Sequence, residues 1–142
     1  MKLACALALS LTIACSGSSG NAPGADAVFP APALKTALSS TGSLMIEVRT
    51  SPDQPPSHGV LTVEYFVKNA SDAAPVDGLV MSAEPWMPAH GHGASVRPTV
   101  TPRGNGRYVL TNVDLYMPGS WQLRTAIAGP LTDSVDVPLD VL

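Results

Sequence analysis

Gly59-Val60-Leu61-Thr62-Val63-Glu64-Tyr65-Phe66-Val67-Lys68-Asn69 is the stretch on which the fold turns. Leu61, Val63, Tyr65 and Val67 fall on one face, and Thr62, Glu64 and Lys68 on the other. A period of two sends successive side chains to opposite sides of an extended chain, so this is a strand with one face in a core and one in water. The same alternation recurs around it. Leu44, Ile46 and Val48 alternate with Met45, Glu47 and Arg49; Trp121, Leu123, Thr125 and Ile127 alternate further on; Val135, Val137, Leu139 and Val141 close the series. Gly78 to Ser82, Ala94 to Thr101 and Arg107 to Val113 complete about seven short strands, Pro98 marking an edge or a bulge. Ser51 to His58, with three prolines, is a loop, and Asn69 to Asp77 is a polar turn region. Gly104-Asn105-Gly106 tolerates positive φ and makes a hairpin turn, Pro118-Gly119 turns again as the corner of a further hairpin, and Gly129-Pro130 ends a strand. With 12 Gly and 14 Pro spread through the chain, long helices are disfavoured. The expected fold is all-β, an immunoglobulin-like β-sandwich of about seven strands.

Ahead of these strands the chain changes character. Lys2 followed by the apolar run Leu3 to Ala14 has the pattern of an export signal and is too short to span a bilayer comfortably. Leu11-Thr12-Ile13-Ala14-Cys15, followed by Ser16-Gly17-Ser18-Ser19-Gly20, resembles a bacterial lipobox, with Thr12 where leucine is usual. That resemblance implies cleavage before Cys15, lipid on its thiol, and a membrane anchor of acyl chains. The lack of Asp after Cys15 favours an outer-membrane destination by the bacterial sorting rule. The expected organisation is a lipoprotein signal peptide at 1–14, lipidated Cys15 with a flexible tether over 15–42, and a folded domain over 43–142. Within the tether, Ala33 to Leu38 has room for one helical turn. The expected location is the cell envelope, facing the periplasm or the surface. Cys5 lies in the leader, so a cleaved chain keeps no cysteine for a disulfide, a thiolate metal site or a catalytic thiol; a Cys5 to Cys15 disulfide is the competing pairing.

Charge and motifs narrow the function. A net charge of −3 with only 8 Lys plus Arg leaves no basic patch, so nucleic acid is not an expected partner. A Gly-x-Ser-x-Gly elbow, a His-Glu-x-x-His helix and a phosphate loop are all missing from the sequence, and no enzyme is expected. What stands out is Met81-Ser82-Ala83-Glu84-Pro85-Trp86-Met87-Pro88-Ala89-His90-Gly91-His92-Gly93. Thioethers and imidazoles suit Cu(I), and imidazole also accepts Cu(II). His90 and His92, one residue apart, project to one side of an extended segment and grip one ion; the alternative is a solvated Gly-rich loop that binds nothing. Met87 is the thioether within reach. Met81 and Met117 are either further ligands or core fillers, and Met117 becomes a ligand candidate if its Pro118-Gly119 corner lies at the same end of the sandwich as the His loop. Trp86 is read as covering the core, with cation–π shielding of the ion as the alternative. Trp121 belongs to the core, Met45 to the polar face of its strand, and His58 to a solvent-facing loop. Glu84 and Asp114 are carboxylates available to a harder ion such as Zn(II).

Taken together, Trp86-Met87-Pro88-Ala89-His90-Gly91-His92-Gly93, then Gly106-Arg107-Tyr108, then Met117-Pro118-Gly119-Ser120-Trp121-Gln122-Leu123 resemble the YtkA-like domain. This domain is related to the FixH family of small exported β-sandwich proteins. The resemblance covers about Ser43 to Leu142. It implies a sandwich fold, frequent membrane anchoring and, through several relatives, copper handling or cytochrome oxidase assembly. The leading expectation is an exported, lipid-anchored copper-binding protein for copper storage, resistance or delivery, partnered by the membrane and by a copper donor or acceptor protein of the envelope. The second is a non-metal interaction module of the envelope that presents an edge strand or loop.

Overall fold

The computed structural model describes residues 27–142, which form nine β-strands and no helix. They are β1 (Lys35–Leu38), β2 (Leu44–Ser51), β3 (Gly59–Asn69), β4 (Val80–Met87), β5 (His92–Gly93), β6 (Thr99–Gly104), β7 (Arg107–Leu115), β8 (Gly119–Ala128) and β9 (Asp133–Val141). One antiparallel sheet has the order β1-β2-β3-β7-β6 and the other β5-β4-β8-β9. Without β1 and β5, these are the A-B-E-D and C-F-G sheets of an immunoglobulin constant-type sandwich.

The alternation of β3 is what seats it at the centre of its sheet. Leu61, Val63, Tyr65 and Val67 are all buried, and the strand pairs along its length with β2 and β7. They meet Leu123, Ile127, Val137 and Leu139 of the facing sheet in one core. The bulkiest fully buried side chains are Trp121, Tyr65 and Tyr108, and each has a partner for its polar atom. The Tyr65 hydroxyl meets Thr125 Oγ1 at 3.1 Å, linking the two sheets. Tyr108 accepts the Leu79 N–H at 3.1 Å and donates to the Val76 carbonyl at 2.9 Å, pinning the connection between β3 and β4. Burial pushes both phenols above their ordinary pKa. A buried polar group left without a partner would cost about 1–3 kcal/mol, so these bonds decide which way each ring points.

Four expectations are corrected. Lys35–Leu38 is an edge strand on β2, with no helical turn, and the folded part begins near Leu34 instead of Ser43. The Leu34 N–H donates to the Val48 carbonyl at 2.8 Å, and Leu34 and Ala37 pack against the core, so the free edge of β2 draws this segment out of the tether. Strand β4 runs on past Ser82 to Met87. It tolerates Pro85 because the Pro85 carbonyl, bonded to the Ala94 N–H, faces the side that β5 only partly covers; the missing N–H falls on that same side. Ala94 to Pro98 is not strand, and β6 starts at Thr99. Finally, the residues around Pro118 make an arch between sheets and not a hairpin, since β7 pairs with β3 and β6 while β8 pairs with β4 and β9. The expected signal peptide, Cys15 and the first part of the tether lie outside the described residues.

Asp133 fastens the turn between β1 and β2 to the opposite sheet. It accepts the Thr41 N–H at 3.1 Å, the Ser134 N–H at 2.8 Å and the Thr41 hydroxyl. Removal from water raises its pKa, but hydrogen bonds from Ser39, Thr41 and Ser134 outweigh this and bring it to about 2. A carboxyl depressed in the folded state contributes fully above its unfolded pKa, about 3.9, and loses that contribution as pH falls through the folded value. Asp133→Asn is expected to cost about 2 kcal/mol at neutral pH, from hydrogen bonds to a charged acceptor. It should also flatten the fall of the urea midpoint below about pH 4. An acid limb identical in the two proteins would contradict the anchoring role.

Candidate metal centre

Pro88-Ala89-His90-Gly91 turns the chain from β4 into β5. The Met87 carbonyl accepts the N–H of His90 at 3.1 Å and of Gly91 at 3.0 Å. Gly91 has φ 67, with nothing within 4 Å of the place a Cβ would occupy, so it is the left-handed backbone and not lack of space that calls for glycine. The extended His-x-His segment expected from spacing is therefore absent. His90 is exposed at the turn tip, while His92 sits in β5 opposite Met87. The two imidazoles still converge, with ring centres 5.6 Å apart and planes at 59°.

Directly opposed residues of an antiparallel ladder share a face, so His92 lies on the inner side with Met87, and Trp86 lies on the outer side with Gly93. Beneath His92 stands Tyr116, from the arch after β7. Its hydroxyl is 3.0 Å from His92 Nδ1, with the rings 15° from parallel and 6.0 Å apart. Tyr116 in turn meets Trp121 edge-on at 5.4 Å and 75°. Trp121 is buried, and its indole N–H donates to the Met117 carbonyl at 2.9 Å. His90, His92, Tyr116 and Trp121 thus form a continuous series of rings from the exposed tip to the core.

The methionines divide. Met87 is 3% exposed, and its Cε lies 3.1 Å from where a Cβ on Gly119 would stand. Met117, half-buried against the core, is two residues before that glycine. The corner is at the same end as the histidines, because β4 arrives there with Trp86 opposite Gln122 of β8. Met81 is not brought to this end. It pairs with Ile127, packs at the core margin, and stands about 20 Å from Met87 at the 3.3–3.4 Å rise of a strand. Trp86 also departs from expectation: it neither covers the core nor borders the imidazoles, but lies on the outer face under the Arg124 guanidinium, 4.4 Å from the ring. Trp121 is in the core as expected, and Met45 is half-buried opposite Lys68. His58 is exposed, with Nδ1 3.2 Å from the Leu142 carbonyl.

The carboxylates are elsewhere. Glu84 pairs with Arg97 at 3.3 Å, and Asp114 lies opposite Val60 in β7. Among the described residues no three His, Cys, Asp or Glu side chains gather to hold an ion. A third protein donor beside the two imidazoles would therefore be a thioether. The separation of the imidazoles fits shared ligation: two rings each holding an ion at about 2.0–2.1 Å have centres roughly 5–6 Å apart. Tyr116 was not among the sequence candidates. Val113 and Leu115 face the core, but no spacing in the sequence ties Tyr116 to His92, 24 positions away.

The profile of the YtkA-like family matches residues 42–126, from the turn before β2 into β8 and more than half of the chain. The protein belongs to the YtkA-like family. No curated protein and no solved structure gives a significant match. The matched YtkA-like region contains Met87, His90, His92, Tyr116, Met117 and Trp121, and leaves out β1 and β9. The whole candidate centre of this YtkA-like domain thus lies within the part that defines the family.

Gly91→Ala tests the turn. A Cβ in the left-handed region costs about 1–2 kcal/mol, and the melting temperature should fall by about 4 °C or more. A thermal melt matching that of the parent would mean that the turn does not depend on this backbone conformation.

Proposed function

We propose that this YtkA-like protein is a copper-binding protein of the cell envelope, exported, lipid-anchored through Cys15, and suited to copper storage, resistance or delivery. The observation that carries the reading is the convergence of His90 and His92 at an accessible hairpin tip, 5.6 Å between ring centres, with Met87 and Met117 at the same end. Copper is the cargo. Imidazole and thioether are donors that copper accepts in both of its common oxidation states, and the carboxylates that would favour a harder ion are engaged elsewhere or lie in other strands. His90 is exposed, which lets the ligands of a donor or acceptor protein reach the ion. The export signal and the lipobox-like Leu11 to Cys15 support the membrane, by preference the outer one, as the other partner.

One observation favours the alternative of a non-metal interaction module. Strand β5 pairs with β4 only at Trp86 and Met87, so much of that sheet edge carries no strand, and Val80 on it is 67% exposed. A competition titration separates the two readings, with Cu(I) under anaerobic conditions and with Cu(II), on the protein and on a variant carrying His90→Ala and His92→Ala. Tight one-to-one binding, weakened about a hundredfold or more in the variant, is expected for two lost ligands. Binding no tighter than that of a histidine-bearing peptide would reject the copper reading in favour of the interaction module.

A further inference from the structure

We infer that Tyr116 is a positioning residue of this centre: its hydroxyl occupies Nδ1 of His92, so that copper is taken by Nε2 of His92 and not by Nδ1. The inference rests on the copper reading above for the ion. The choice of nitrogen is its own content.

An imidazole offers two nitrogens, and which of them meets a metal is set by what the other one bonds. Here the Tyr116 oxygen is 3.0 Å from Nδ1. A nitrogen held in that bond is shielded from the ion, whereas Nε2, across Cε1 in the same ring, is not the atom the phenol bonds. When Nε2 carries the ion, Nδ1 keeps its proton and donates it to the phenol oxygen, the arrangement in which an outer partner orients a ligating histidine and raises its basicity. The phenol is 42% exposed as a residue, so its own proton can go to water while its oxygen accepts.

The position of Tyr116 is fixed from behind. Its ring rests edge-on against Trp121 at 5.4 Å, and Trp121 is buried and bonded to the Met117 carbonyl. On its other side the His92 ring lies 15° from parallel to it, with His90 at 5.6 Å beyond. Removing only the hydroxyl therefore leaves the ring contacts in place, which makes Tyr116→Phe the informative change.

The test is nitrogen-15 NMR of the histidine side chains in the Cu(I)-loaded protein, which is diamagnetic, alongside Cu(I) competition titrations of the parent and of Tyr116→Phe. The parent should show His92 ligated through Nε2, with a slowly exchanging Nδ1 proton. In Tyr116→Phe that proton should exchange into the solvent signal, and copper affinity should fall about tenfold to a hundredfold, with the far-ultraviolet spectrum and melting curve unchanged. Ligation through Nδ1 in a parent that binds copper tightly would overturn the inference and leave the copper reading standing. So would a Tyr116→Phe variant with undiminished affinity and a protected Nδ1 proton. A parent that binds no Cu(I) would reject both, a result distinct from either of these.

Discussion

The hydrogen bond from the Trp121 indole to the Met117 carbonyl is the contact on which the candidate centre hangs. Trp121 is 1% exposed in β8, so its N–H needs an acceptor inside the protein, and the arch between the sheets supplies one. With the arch tied down, Tyr116 stands edge-on against the indole and presents its hydroxyl to His92. Gly119 completes the corner: at φ 126 its backbone takes a conformation that residues with a side chain rarely adopt, and the Met87 methyl packs 3.1 Å from where a Cβ would stand. The β4–β5 hairpin and the β7–β8 arch, far apart in sequence, therefore meet through one buried side chain and one missing one.

Most of the frame was legible because a strand buried on one face writes that burial into its sequence with a period of two. Strands β2, β3, β8 and β9 have their buried residues at the alternating positions expected of them. Strand β1 was not legible. Its four residues KTAL carry no strong pattern, and what makes them a strand is the open edge of β2. Pro85 hid the true length of β4, since a proline ends most strands and is tolerated here because its missing N–H falls on the thinly covered side of the sheet. The alternation of β3 puts Glu64 on the wetted face, and it does point away from the core. It is nevertheless buried, because Arg49 at 3.3 Å and Arg107 at 2.9 Å close over it from the neighbouring strands, a cover that depends on sheet order.

The centre was legible in composition and not in geometry. His90 and His92 stood out by residue type, yet their convergence comes from a left-handed glycine and a turn, where spacing suggested an extended segment. The parity of β4 explains the rest: Ala83, Pro85 and Met87 face inward, and Glu84 and Trp86 face outward. This places Met87 beneath the corner and sends Trp86 to Arg124 on the outside. Met81 shares the inward parity and is excluded only by its distance along the strand. Tyr116 carried no local signal, since its role arises from the meeting of hairpin and arch.

The proposed copper centre makes a direct statement about ligands, and X-ray absorption at the copper edge of the Cu(I)-loaded protein reads them. Backscattering from two imidazole rings together with a sulfur atom is the expected spectrum, from His90 and His92 with a thioether of Met87 or Met117. A coordination shell of oxygen and nitrogen without the multiple scattering of imidazole rings would contradict it.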